Sequence, residues 1–403
     1  MLLAPLIVKR VRYDLRVLKR LLLVTPLVTL AAAQIFGQQA APGASSLQAR
    51  LQEKFIELQK GASFPGGTAG FVLADGSSLG IAVGVSDRAT NTPMKATDRL
   101  LLGSVGKTYV SAVALQMIHE KKFGLDDTLD KFFGKEPWFP RIANAPQIKV
   151  RHLMNHTSGL VRYEFNPKFT QDLSANPDKV WSGVDRLAYL FDAKPPFAPG
   201  AGWEYSDTNY IVLGMIIEKV SGSDYYAELR RRILAPFALK DTVPADSRTV
   251  PGLAQGYAGA NNPFGGKDEM ISDGKFAVNP QFEWTGGGLA VTALDLAKWG
   301  KVLYEGKAFD ASLMPAFLDG VAAKLGPETK YGLGVIIRPT PLGVTYGHSG
   351  FMPGYQTELM YFPDLKASVA VQVNSSAPRS TGRPLRTYAI EFATVLAAAA
   401  KLP

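Results

Sequence analysis

The stretch Leu102-Gly103-Ser104-Val105-Gly106-Lys107-Thr108-Tyr109 places a serine and a lysine three residues apart, where an extended run gives way to a helical apolar pattern. On a helix, positions i and i+3 share a face, so the amine of Lys107 can approach the hydroxyl of Ser104 and take its proton. The same stretch contains Gly106-Lys107-Thr108, the ending of a phosphate-binding loop. That loop requires a glycine five residues before Gly106, and position 101 is leucine, so acyl transfer ranks above nucleotide binding.

Working outward, Pro199-Gly200-Ala201-Gly202-Trp203-Glu204-Tyr205-Ser206-Asp207-Thr208-Asn209-Tyr210 is a Pro/Gly-punctuated loop running into an apolar helix expected near Ile211. It presents Tyr205 and Asp207 on one side of a turn. Tyr346-Gly347-His348-Ser349-Gly350-Phe351 ends a strand-like run, and Gly350 would let a substrate lie against backbone.

Ser-x-x-Lys, Tyr-x-Asp and His-x-Gly, in this order and at these wide separations, resemble the serine β-lactamase and penicillin-binding-protein superfamily. The branch resembled is that of class C β-lactamases, D-alanyl-D-alanine carboxypeptidases and β-lactamase-like esterases. Arg151-His152-Leu153-Met154-Asn155-His156-Thr157-Ser158-Gly159-Leu160, and Gly286-Gly287-Gly288-Leu289 leading into Ala293-Leu294-Asp295-Leu296-Ala297, extend the resemblance over about residues 45–400. It implies that Ser104 is the nucleophile, Lys107 its activating neighbour and Tyr205 the proton shuttle to the leaving group. It also implies an oxyanion hole of the Ser104 and Phe351 backbone N–H groups, with His348, Ser349 and Gly350 along the facing strand. No cofactor and no metal are implied.

Asp207 departs from the family pattern, which has asparagine there. A carboxylate beside Lys107 favours the ammonium and opposes its use as a base; it cannot donate to a substrate amide unless protonated. An aspartate there would equally cap the following helix, and both readings stay open. His348 in place of lysine offers less attraction to a substrate carboxylate at neutral pH, which argues against a dedicated β-lactamase.

His152 and His156 have the i, i+4 spacing of a zinc helix, but Leu153 stands where the protease pattern needs glutamate, so His156 is expected to fix the turn at Thr157-Ser158-Gly159 instead. His119, ending the apolar run from Val110 to Ile118, suits a helix C-terminus. Tyr163, Phe165, Trp203 and Trp284 are candidates for an acyl pocket, no more than half of them expected to serve. Phe264-Gly265-Gly266-Lys267 reads as part of a surface loop.

Lys9, Arg10, Arg12, Arg16, Lys19 and Arg20 precede the apolar run 21–30 and Ala31-Ala32-Ala33, the pattern of an export signal over residues 1–43, or of a retained N-terminal anchor, since its polar front is long and carries Asp14. The expected location is periplasmic or secreted. That segment holds six basic residues and one acidic residue, +5 of the chain's +9, and the remaining +4 argues against nucleic acid as a partner. With no cysteine in 403 residues, disulfides, thiol chemistry and a lipidated cysteine anchor are excluded. No run after the leader approaches a membrane span.

Residues 44–403 are expected to form an α+β domain of the β-lactamase/transpeptidase-like class. An antiparallel sheet flanked by helices would be built from both chain ends, with a mostly helical central lobe at about 105–330. Its signals are an amphipathic helix at 45–60, strands at 70–73 and 79–85 joined through Asp75-Gly76, strands at 343–346, 356–362 and 367–373, and an apolar helix at 383–401. The function expected is an exported serine hydrolase forming a Ser104 acyl-enzyme on an ester, an amide or a D-amino-acid peptide, its partner a small-molecule or cell-wall-derived substrate. The alternative is a weak or inactive relative that binds cell-wall peptide or β-lactam, or serves as a scaffold. Nothing in the sequence bears on oligomeric state.

Overall fold

A computed structural model describes residues 46–262 and 267–400. The expected leader and Phe264-Gly265-Gly266 lie outside the described residues. Among those described, no helix is long and apolar enough to cross a membrane.

Nine antiparallel strands form the main sheet: β1 (Gly66–Val72), β2 (Ser78–Asp87), β3 (Thr92–Pro93), β4 (Val321–Ala322), β5 (Lys330–Tyr331), β6 (Ile336–Thr340), β7 (Gly343–Met352), β8 (Tyr355–Phe362) and β9 (Ala367–Val373). Their spatial order is β3-β2-β1-β9-β8-β7-β6-β5-β4, so the two chain ends meet at the β1–β9 pair, where Ala69 faces Val371. Side chains alternate across a strand. Val369, Val371 and Val373 accordingly join Ala69 and Phe71 under helices α1 (Leu47–Lys60) and α5 (Leu385–Ala400), around Phe55 and Phe392. Ala370 and Val72 face the other layer, which carries the lobe and helix α4 (Ala293–Tyr304). That helix begins so close to β1 that a Cβ on Gly70 would lie 2.1 Å from the Ala293 carbonyl oxygen.

The central lobe carries helices α2 (Lys107–His119) and α3 (Asp207–Ser221), both with buried apolar faces. It is less purely helical than expected. Leu100–Leu101, Leu289–Val291 and Thr242–Pro244 pair as a three-stranded sheet, and β4 and the first residue of β5 fall inside the 105–330 segment. These strands are two or three residues long, too short for periodicity to reveal. Strand β7 extends to Met352 rather than stopping at Tyr346, because its glycines are sites of close approach. A Cβ on Gly347 would meet the Leu359 carbonyl oxygen at 2.0 Å, and one on Gly350 the Leu102 carbonyl oxygen at 2.1 Å.

Candidate active site

Three backbone approaches build the floor of a cleft. Leu102 donates to the Leu289 carbonyl at 2.8 Å, tying the chain before Ser104 to the glycine run 286–288. A 3-10 turn, Gly103–Gly106, then leads into α2. Gly103 has φ +57°, and a Cβ there would sit 2.4 Å from the Phe351 oxygen and 2.7 Å from its nitrogen. Glycine alone allows this conformation and contact together, and they bring Ser104 against β7.

Lys107, the first residue of α2, has no solvent exposure. Its Nζ donates to Ser104 Oγ at 3.0 Å, to the Gly286 carbonyl at 2.6 Å, and to Asp207 Oδ1 in a close ion pair. Three N–H bonds directed at three acceptors describe an ammonium. Burial alone would lower its pKa, but the Asp207 carboxylate outweighs burial and raises it well above the ordinary lysine range. Burial likewise opposes the charge on Asp207, and Lys107 and Arg162 hold it well below the usual carboxylate range. The lysine therefore rests as a donor to Ser104, not as its base. Asp207 is the first residue of α3, and the extended Ser206 before it occupies the cap position. The capping alternative thus gives way to the lysine partner, and the helix starts at 207 rather than near Ile211.

A second tier of charge surrounds this pair. Arg162 donates to Asp207 Oδ2 at 3.0 Å and to Glu164 Oε1 at 2.6 Å. Burial and the neighbouring Asp207 push the Glu164 pKa far up; its Oε2 receives no N–H or O–H and is the oxygen left to carry the proton toward Asp207. Neighbouring buried carboxyl groups do not both ionise, and here Asp207 keeps the charge while Glu164 keeps the proton. Glu283, raised to about 7 by burial and then by Asp207, lines the same cleft. Behind it Arg186, fully buried, donates to the carbonyls of Phe282, Trp181 and Gln281 at 2.6–2.8 Å and fixes the turn that carries Glu283.

Tyr205 lies over the floor, with Lys107 Nζ 5.1 Å from its ring centroid. Burial raises its phenol to about 12 against the opposing pull of Lys107, so it rests protonated, and its buried hydroxyl makes no hydrogen bond among the described residues. The ring is held by His156, 4.2 Å away between centroids. His156 accepts at Nδ1 from Ser206 N at 3.3 Å and faces Asn209 Nδ2 at 3.0 Å, and burial keeps it neutral. Its ring nitrogen thus ties it to the Ser206–Asn209 segment rather than to the Thr157-Ser158-Gly159 turn, and the ring seats Tyr205. His152 accepts from its own helix, from Lys149 N at 3.2 Å. Among the described residues no group of three or more potential ligands could hold a metal.

The structure thus brings Ser104, Lys107, Tyr205, Asp207 and the Phe351 backbone together. It places His348 one layer back. Its Nδ1 donates to the Ser349 carbonyl at 2.7 Å, which leaves Nε2 to accept from Tyr331 Oη at 2.8 Å. Burial lowers its pKa to about 3, so it is neutral with both nitrogens occupied. Ser349 stands opposite Glu358 in the β7–β8 ladder, and Gly350 packs under Leu102. Of the four aromatic candidates only Phe165 lines the cleft, whose 440 Å³ is bounded by Ser104, Arg162, Glu164, Glu283, Phe165 and Phe351, with Phe169, Phe282, Thr170, Asp207 and Pro353. Tyr163 is buried with its hydroxyl on the Phe282 carbonyl, and Trp284 is buried beneath Arg186. Sequence reasoning missed Arg162, Glu164 and Glu283. Their only signal is position: the first two follow the His156-to-Leu160 segment directly, and the third stands three residues before Gly286.

The Beta-lactamase family model matches residues 51–394. Penicillin-binding protein 4* of Bacillus subtilis (strain 168) is 27% identical over 70% of this chain and 62% of its own length. The D-aminopeptidase of Brucella anthropi is 26% identical over 77% of this chain and 56% of its own length. The chain thus spans less than two thirds of either relative. Among solved structures, the D-amino acid amidase of Ochrobactrum anthropi SV3 superposes with a TM-score of 0.73 at 24% identity, covering 89% of this chain and 99% of that one, a likeness of fold. With the fold, the Ser104–Lys107 floor and a family match over most of its length in agreement, the chain belongs to the β-lactamase family.

Proposed function

We propose that this protein is a serine hydrolase that acylates Ser104 with an ester, an amide or a D-amino-acid peptide, and that it works outside the cytoplasm, on the strength of the basic and apolar leader in residues 1–43. The observation that carries the hydrolase reading is the 3.0 Å contact between Lys107 Nζ and Ser104 Oγ, with the Tyr205 ring centroid 5.1 Å from the same Nζ and its hydroxyl unpartnered. Because Lys107 rests as an ammonium, the proton follows a relay. Ser104 Oγ attacks the carbonyl carbon as its proton passes to Tyr205, while the Tyr205 proton passes to the leaving oxygen or nitrogen, and the C–X bond breaks as the tetrahedral adduct collapses. Tyr205 ends as it began. Lys107 supplies positive charge beside the developing oxyanion without exchanging a proton. Water repeats the relay in reverse to release the acid.

The locked Lys107–Asp207 pair also favours a second reading, a protein that binds cell-wall peptide or β-lactam with little turnover. Intact-protein mass after mixing residues 44–403 with a p-nitrophenyl short-chain ester, beside a Ser104→Ala control, separates them. A covalent adduct or nitrophenol release that disappears in the control supports the hydrolase. If neither forms, and a penicillin also leaves the mass unchanged, the binding reading takes its place.

A further inference from the structure

Two large apolar side chains stand exposed at the mouth of the Ser104 cleft. Phe165 is 69% and Phe351 60% accessible, among few large hydrophobic residues so exposed. Phe169 and Phe282 line the same cavity below them. Phe165 is held in place by the Arg162 guanidinium, 3.9 Å from its ring centroid, and Phe351 by its strand, paired with Gln356. Fixed aromatic rings left facing water beside a nucleophile form an apolar surface awaiting cover.

The cations of the site, by contrast, are paired within it. Lys107 has three acceptors, and Arg162 bridges Asp207 and Glu164. On the strand side, where a substrate carboxylate would lie along β7, His348 is neutral with both nitrogens bonded and Ser349 stands opposite the Glu358 carboxyl in the ladder. That strand offers an incoming anion no cation.

Resting on the reading of Ser104 as an acyl-transfer nucleophile, we infer that the cleft selects neutral substrates bearing an apolar aryl or alkyl group, clasped between Phe165 and Phe351, over carboxylate-bearing ones. Covering a phenyl group's worth of apolar surface favours it by about tenfold or more.

The test uses three p-nitrophenyl esters, acetate, phenylacetate and hemisuccinate, with full-length protein. The phenylacetate is expected to exceed the acetate in kcat/KM by about tenfold or more, and the hemisuccinate to fall below the acetate. Phe165→Ala with Phe351→Ala should bring the phenylacetate-to-acetate ratio to within about threefold of unity. An acetate equal to the phenylacetate, a hemisuccinate above the acetate, or a ratio untouched by the double variant overturns the inference while leaving the hydrolase intact. Calorimetry on Ser104→Ala reads the same selectivity without chemistry: phenylacetamide should bind about tenfold or more tighter than acetamide, and tighter than phenylsuccinate. That result stands even if no ester acylates Ser104, in which case only the hydrolase reading fails; equal binding of the three compounds overturns the inference.

Discussion

The floor of the cleft and its rim differ in how completely their groups are partnered. At the floor, all three N–H bonds of Lys107 find acceptors and Asp207 receives both Lys107 and Arg162, out of solvent. At the rim, two phenylalanine rings face water, and no described residue donates a hydrogen bond to the Glu283 carboxyl. The floor is preorganised: its geometry is set before a substrate arrives, so no reorganisation is needed as charge develops. The rim is incomplete until something binds. A chain that needs one fixed chemistry and a particular substrate class would be expected to divide its site in this way.

The comparison breaks most sharply at Lys107. Lys107→Ala leaves Asp207 buried without its main partner, and removing one member of a buried pair costs about 3–5 kcal/mol. Acylation of Ser104 should fall by about 10³-fold or more, as for other members of a catalytic unit. Denaturant unfolding and mass-resolved acylation measure the two effects; normal stability with surviving turnover would mean that the floor is not the reacting centre. Gly103→Ala attacks the same floor through the backbone. Its φ of +57° and the 2.4 Å approach to the Phe351 oxygen should cost about 2 kcal/mol or more and displace both Ser104 and the β7 backbone. Turnover should drop by about a hundredfold with little change in KM, since what is disturbed is transition-state geometry.

Asp207→Asn sharpens the comparison rather than breaking it. The amide keeps the shape, removes the charge that holds Lys107 protonated, and lets the lysine's pKa fall as burial alone would have it. The alkaline limb of acylation, set by loss of the Lys107 ammonium, should move down by about one pH unit or more with little change of rate near pH 7.5; a tenfold gain there would mean that neutral Lys107 is the base. A collapse of activity instead would assign Asp207 an active part in the reaction.

These residues were not equally legible in the sequence. Ser104, Lys107, Tyr205 and Asp207 stand in short motifs whose spacing within a turn is itself the geometry, so reading them required no tertiary information. The central strands and terminal helices were legible for a similar reason: the alternation through 367–373 and the stripe of Leu47, Leu51, Phe55 and Leu58 are local patterns with one periodicity each. Arg162, Glu164 and Glu283 come together only because α3, the segment after Leu160 and the turn before Gly286 converge. Isolated charges in loops carry no period. His348 shows the reverse case: its motif was legible, but its burial behind Tyr331 was not, since a residue's depth depends on which strand lies over it.

The smallest expected effect concerns the rim's one unpartnered carboxyl. Burial first, and then Asp207, raise Glu283 from the ordinary glutamate value of 4.5 to about 7, against the opposing pull of Lys107, Arg162 and Arg186. The folded protein therefore holds a proton there that the unfolded chain has released between about pH 4.5 and 7. The resulting stability is present in full below the unfolded value and is lost as pH rises through about 7. Glu283→Gln removes that titration and keeps the shape. Relative to the variant, the parent should lose about 1–3 kcal/mol between pH 5 and pH 8.5, while contributions common to both proteins, including those of the neutral His348 and His156, cancel in the difference. Denaturant midpoints of the two proteins at the two pH values measure it. A gap that does not widen with pH would mean that Glu283 already has a partner when folded, and the rim would then be as complete as the floor.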